Sequence, residues 1–170
     1  MRDVPAASPR LFGRFSEYAP VDRQALAAMA GERAFEVVTV GCHALAVVEG
    51  SLAGDGRCAV AVIGAPRGLG THTERPISAE ELLAAYRREG ASILAALRGE
   101  FAVALADAEG GEAVAATDRF GRYPMVYTSR ASETLFASDA GMLVRHPGVD
   151  AAVEPRSLYD YVFFHVIPAP

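Results

Sequence analysis

The chain has 170 residues, 51% of them hydrophobic, with 16 basic against 21 acidic side chains and a net charge of −5. That is the size of one domain with a substantial core; the apolar share excludes a wholly disordered chain, and the acidic balance disfavours nucleic acid, which calls for a basic face. Two cysteines, Cys42 and Cys58, with no C-x-x-C pair, argue against a disulfide-stapled module and a zinc site, and the absence of a signal-peptide core or of a run near the ~20 apolar residues of a membrane helix leads us to expect a cytoplasmic protein with no membrane partner.

Residues 1–10 hold two prolines and no periodicity, and are expected to form a flexible lead-in. Leu11–Phe15 alternates in the manner of a short strand. Asp22 is placed to cap a helix over Arg23–Ala30, with Leu26 and Met29 on one face and Gly31 as its stop. Phe35–Val40 and His43–Val48 are valine-rich strands separated by Gly41-Cys42, the spacing of a two-residue hairpin. Gly50–Arg57 reads as a glycine-rich turn, Cys58–Ile63 as a strand buried on both faces, and Gly64–Pro76 as a loop. Ser78-Ala79-Glu80-Glu81 has the form of a capping box opening a helix to about Arg88, with Leu82, Leu83 and Tyr86 as its stripe and Gly90 as its stop. A shorter helix over Ser92–Leu97 follows.

Glu100–Asp107 and Glu112–Thr117 are strands joined by the turn Ala108–Gly111. Met125–Ser129 and Thr134–Ala137 form a second hairpin. Ala140–Arg145 is a short helix stopped by Pro147, and Pro155 is suited to begin a last helix reaching about Phe164. Mostly antiparallel strands with a few helices, and no βαβ alternation, give the α+β class.

Several strings occur in a fixed order: Leu97-Arg98-Gly99-Glu100-Phe101-Ala102, Asp118-Arg119-Phe120-Gly121 with Pro124, Leu135-Phe136-Ala137-Ser138-Asp139, and His146-Pro147-Gly148-Val149. In that order, over residues 80–170, they resemble the class II glutamine amidotransferase domain of the asparagine synthetase family. The resemblance implies an N-terminal-nucleophile-hydrolase-like fold, a four-layer αββα sandwich of two antiparallel sheets, over residues 11–165. Residues 166–170 would then begin a linker to a missing ATP-dependent synthetase domain, and ATP and Mg would belong to that domain, with no cofactor in this one.

Checked part by part, the family's chemistry is not matched. Its nucleophile is a cysteine directly after the initiator methionine, whose own amine serves as base; position 2 here is Arg2, and the surroundings of Ser8 do not resemble a processing site. The family's oxyanion donors come from an "N-G-E" string, for which this chain has Ile63-Gly64-Ala65: Gly64 keeps a vestigial backbone donor while the side-chain donor is missing, a type of loss that costs ~10²–10³ in rate. An "S-D-x-E" string that holds the substrate's amino group is replaced by Ser78-Ala79-Glu80-Glu81. No "R-L-S" string for the substrate carboxylate stands before Gly50.

Other candidates have plain structural readings. Cys42 and His43 are adjacent, and adjacent strand residues point to opposite faces. Cys58 suits a small core residue, and His72, His146 and His165 do not converge on a metal. Arg119, in a loop with two arginines, is a candidate for holding a carboxylate or bridging to another domain; the alternative is that it pairs with Asp118 to pin the loop. Tyr159, Tyr161, Phe163 and Phe164 suit either core or an interface, the interface set being Tyr159, Phe163 and Phe164. The leading expectation is a catalytically silent amidotransferase-like domain: a scaffold for an ATP-dependent amide-forming enzyme of the peptide-cyclase or β-lactam-synthetase type, with a synthetase domain or subunit as partner and a homodimer possible. The alternatives are a working glutamine-hydrolysing domain of a divergent asparagine synthetase, and a stand-alone small-molecule-binding or dimerisation module.

Overall fold

The computed structural model describes residues 8–68 and 75–166. Among the described residues nine strands form two antiparallel sheets. The first has the order β2-β3-β1-β9-β8, from β1 (Arg10–Ser16), β2 (Glu36–Val40), β3 (His43–Val48), β8 (Val126–Arg130) and β9 (Glu133–Ala137). The second has the order β4-β5-β6-β7, from β4 (Ser51–Gly54), β5 (Cys58–Gly64), β6 (Phe101–Asp107) and β7 (Glu112–Thr117).

The side-chain period of two divides the apolar residues among three cores. Leu11, Leu45, Val47 and Phe136 of the first sheet meet Ala59, Ala61, Ala102, Ala104 and Ala106 of the second. The second sheet's inner face is thus largely alanine, and its bulk lies outside, where Val60, Val62, Val103 and Leu105 pack under α2 (Ala79–Glu89) and α3 (Ile93–Ala96). On the far side, Phe12, Ala44, Ala46 and Leu135 pack under α1 (Arg23–Ala30) and α4 (Ala140–Leu143). This is the four-layer sandwich, helices on sheet on sheet on helices.

Local signals account for most boundaries. The Asp22 carboxylate caps α1 by accepting from the amides of Gln24 and Ala25. Ser78 and Glu81 form both halves of the capping box of α2. Gly41-Cys42 turns the chain between β2 and β3, with Val40 paired to His43.

Four expectations need correction. Gly50–Arg57 is not all turn, because Ser51–Gly54 is the edge strand β4, paired to β5 from Ser51↔Val62 to Gly54↔Ala59; glycine content hid a short strand. The segment from Leu11 to Arg14 does not alternate in burial but is buried throughout, since β1 is the central strand of a covered sheet. The helix assigned to Ser92–Leu97 is a 3₁₀ turn over Gly90–Ser92 followed by the single turn of α3. Finally, the aromatic residues of α5 (Pro155–Phe164) are not core: Tyr159, Phe163 and Phe164 are 56%, 63% and 65% exposed.

Candidate functional site

At one end of the sandwich β1, β5 and β6 open onto a cleft of about 420 Å³. Pro9, just before β1, enters it, and Glu49, Gly50, Ser51, Gly64, Ala65, Glu100 and Tyr123 line it. Two of the strings noted in the sequence hold its walls. The Ser138 hydroxyl accepts from the Leu11 amide at 3.0 Å, the Ser138 amide donates to the Leu11 carbonyl at 2.7 Å, and Asp139 pairs with Arg10 at 3.1 Å. Together they fix where β1 leaves the cleft.

Asp118 fixes the opposite wall. Its carboxylate accepts the amides of Phe101 at 3.2 Å, Phe120 at 2.8 Å and Arg122 at 3.0 Å, tying the loop that carries Tyr123 to the start of β6. Burial works against the charge on Asp118, but the amides of Phe120, Phe101, Arg122 and Tyr123 outweigh it and hold the carboxyl below its ordinary range. The alternative of an Asp118–Arg119 pair is therefore corrected: the anchor is backbone amide, and Arg119 is exposed, with no ion pair among the described residues. Arg122 pairs with Glu100 at 3.4 Å, both largely exposed, a contact worth little in water.

Gly64 has no room for a side chain. Its φ is +84°, and a Cβ there would lie 2.3 Å from the Glu100 carbonyl oxygen and 2.6 Å from the Tyr123 ring. The Ala65 amide donates to Glu100 at 2.7 Å, so Gly64↔Phe101 is a non-hydrogen-bonded pair and the Gly64 N–H turns away from β6. It faces the position beyond Ser51, where the β4 ladder has ended. The Gly64 N–H thus points away from β6, on the side of the cleft.

The other parts of the chemistry lie elsewhere. Cys58 is at the opposite end of β5, six residues and ~20 Å from Gly64. Burial pushes its thiol up, and Asp107 pushes it the same way, which suits an inert core group. Cys42 is in the β2–β3 turn. His43 beside it does not serve it: its Nδ1 accepts the Ser16 amide at 3.3 Å, and burial followed by the Arg14 charge lowers its pKa. His146 likewise accepts the Gly148 amide at Nδ1, within the turn after α4. His72 lies outside the described residues, and His165 closes α5 in the left-handed conformation. Among the described residues no group of histidine, cysteine, aspartate or glutamate side chains is arranged to hold a metal.

Among the described lining residues the hydroxyls are those of Ser51 and Tyr123, and that of Ser51 accepts the Ala79 amide at 2.9 Å and so anchors the start of α2. The chain contains no lysine, and among the described residues the cleft is lined by two carboxylates, Glu49 and Glu100, with no thiol, imidazole or guanidinium. Sequence reasoning missed Glu49, Glu100 and Tyr123 as cleft residues. Tyr123 had one available signal, its place just before Pro124, which favours extended backbone there.

A sequence model described as the glutamine amidotransferase domain matches residues 70–170. The chain belongs to that family. No curated protein matches it. The matched part of this amidotransferase-family domain carries α2 through α5, including Asp118, Tyr123, Ser138 and Asp139, the residues that shape the cleft. No helix among the described residues is long and apolar enough to cross a membrane.

Proposed function

We propose that this amidotransferase-family domain is catalytically silent and serves as the scaffold of an asparagine-synthetase-like, ATP-dependent amide-forming enzyme, with the N-terminal-nucleophile-hydrolase-like sandwich of residues 11–165 kept for its shape. The observation that carries the reading is the cleft lining: Glu49 and Glu100 without a thiol, a base or a cation among the described residues. Glutamine brings an α-carboxylate, and no guanidinium among the described lining residues is there to hold it, the neighbouring Arg122 being paired with Glu100. Residues 1–10 contain no cysteine or threonine, and their one serine, Ser8, is followed by Pro9 and Arg10, which resemble nothing in the family. Gly64 alone retains a part of the donor pair, and a donor without a nucleophile has no intermediate to stabilise.

Helix α5 supports the scaffold half of the proposal. Pro155 opens it, Glu154 caps it by accepting the Ser157 amide, and Tyr159 stacks on Phe163 with centroids 4.3 Å apart. Leu158, Tyr159, Tyr161, Val162, Phe163, Phe164 and Val166 are each more than half exposed. A helix apolar on most sides belongs inside a larger body, and residues 166–170 would lead on from it to the synthetase domain, where ATP and Mg would bind; of these, 167–170 lie outside the described residues. Arg119, exposed in the loop that leads to Tyr123, is a candidate bridge to that domain.

The test is ammonia release from L-glutamine by the purified domain, with Cys42→Ser and Ser51→Ala variants beside it. The proposal expects no release above the uncatalysed background in any of the three. Release that either substitution abolishes overturns it.

A further inference from the structure

We infer that two copies of this chain join through strand β7, the second sheet running from one copy into the other across a two-fold axis at Ala115. The parity of the ladder is the first ground. The Asp118 amide donates to the Phe101 carbonyl at 3.0 Å, which makes Thr117↔Ala102 a non-hydrogen-bonded pair, and with it Ala115↔Ala104 and Ala113↔Ala106. The N–H and C=O groups of Ala113, Ala115 and Thr117 therefore point outward, along the open edge of the sheet.

The second ground is the inner face. Ala102, Ala104 and Ala106 are fully covered by the first sheet, whereas their neighbours Ala113, Ala115 and Thr117 are exposed. They form one wall of a groove of about 440 Å³ whose floor includes Phe15, Met125 and Phe136. The sandwich is thus open along β7, and its apolar interior reaches the surface there.

The third ground is the lack of edge protection. Sheet edges are normally blunted by lysine, proline, bulges or shortness. Between Glu112 and Asp118 there is no charge and no proline, and the pairing with β6 runs without a bulge. The other edges differ: β4 has four residues, β8 ends in Arg130, and β2 carries Glu36.

The occupant that fits is a second β7. An antiparallel two-fold at Ala115 pairs that residue with its own copy and Ala113 with Thr117, so all three outward residues are bonded, two bonds to each pair. Only small uncharged side chains then face one another on the inner face. At the ends Glu112 meets Asp118 of the second copy, but the first carboxylate already accepts the Tyr86 hydroxyl and the second its own loop amides.

The experiment is sedimentation of the whole chain over a range of concentration, joined to amide hydrogen exchange. We expect a species of twice the 17.9 kDa chain mass, with slowed exchange at Ala113, Ala115 and Thr117 as it forms. Ala115→Pro removes an N–H that the fold does not use, and Ala115→Arg brings two charges together at the axis; each should give a folded monomer whose cooperative melt no longer depends on protein concentration. A monomer at every concentration, or a dimer that survives both substitutions, overturns the inference.

Discussion

Replacing Asp118 with alanine tests how the cleft wall is held. The carboxylate is 5% exposed and accepts three amides. Two of those, from Phe120 and Arg122, lie in an exposed loop and recover water when the acceptor goes. The third, from Phe101, is buried at the start of β6 and is left without a partner. A hydrogen bond to a charged group is worth ~1.5–3 kcal/mol, and an orphaned buried amide costs ~1–3 kcal/mol; allowing for overlap between the two, we expect a loss of about 3 kcal/mol. For a chain of this size each kcal/mol moves the melting temperature by ~2–4 °C, so Asp118→Ala should melt ~6–12 °C lower at pH 7, with Asp118→Asn between it and the wild type. The pH dependence has a definite sign. The folded pKa is depressed, so the stabilisation is complete above the unfolded value of about 3.9 and is lost as pH falls through the lower folded value. The gap between wild type and variant should therefore narrow in acid. A melting temperature within ~2 °C of wild type at pH 7, or a gap that stays constant down to pH ~2, would refute the assignment of Asp118 as the anchor.

Three further outcomes are expected. Gly64→Ala forces a Cβ to 2.3 Å from a backbone oxygen at a φ of +84°, and should lose ~2–4 kcal/mol in chemical denaturation, from the left-handed penalty and the displaced strand end; a loss below ~1 kcal/mol would show that the end of β5 yields easily. Tyr86→Phe removes a hydroxyl that stands 3.1 Å from Asp107 and 2.8 Å from Glu112, directly opposed carboxylates on β6 and β7, and should cost ~1–2 kcal/mol at pH 7, measured by the same denaturation. His43 and His146 both have lowered pKa values, chiefly through burial, and both use Nδ1 as an acceptor; the unfolded chain takes up protons first, so stability should begin to fall as pH drops below about 6.5, with ring resonances in NMR titrating below that value.

Much of the fold is written in local signals. Asp22, Ser78 with Glu81, and Pro155 each begin a helix by a mechanism visible in a few residues, and the apolar run of β5 announces a strand covered on both faces. What could not be read depends on contacts distant in sequence. Ser51–Gly54 becomes a strand only because β5 lies alongside it, and glycine there suggests a turn when seen alone. The aromatic residues of α5 read equally well as core, because periodicity reports which residues are apolar and not what covers them.

The cleft itself was less legible than the fold. Gly64 was located by the family resemblance at Ile63-Gly64-Ala65, and its φ of +84° and its place in the ladder needed the structure. An Asp118–Arg119 pair was one of two readings of that loop, yet the carboxylate takes three amides that no sequence spacing reveals. Ser138 and Asp139 were seen as a string; their work, clamping β1 at Leu11 and Arg10 across more than 120 residues, needs the sheet in place.

The claim beneath the proposed function is that nothing in this cleft attacks an amide. Intact-mass spectrometry after incubation with a glutamine analogue carrying an electrophilic carbon in place of its amide addresses that claim most directly. The account predicts an unchanged mass under conditions where a working glutaminase is fully labelled. A single stoichiometric adduct, mapped to a residue beside Gly64 and blocked by excess glutamine, would contradict it.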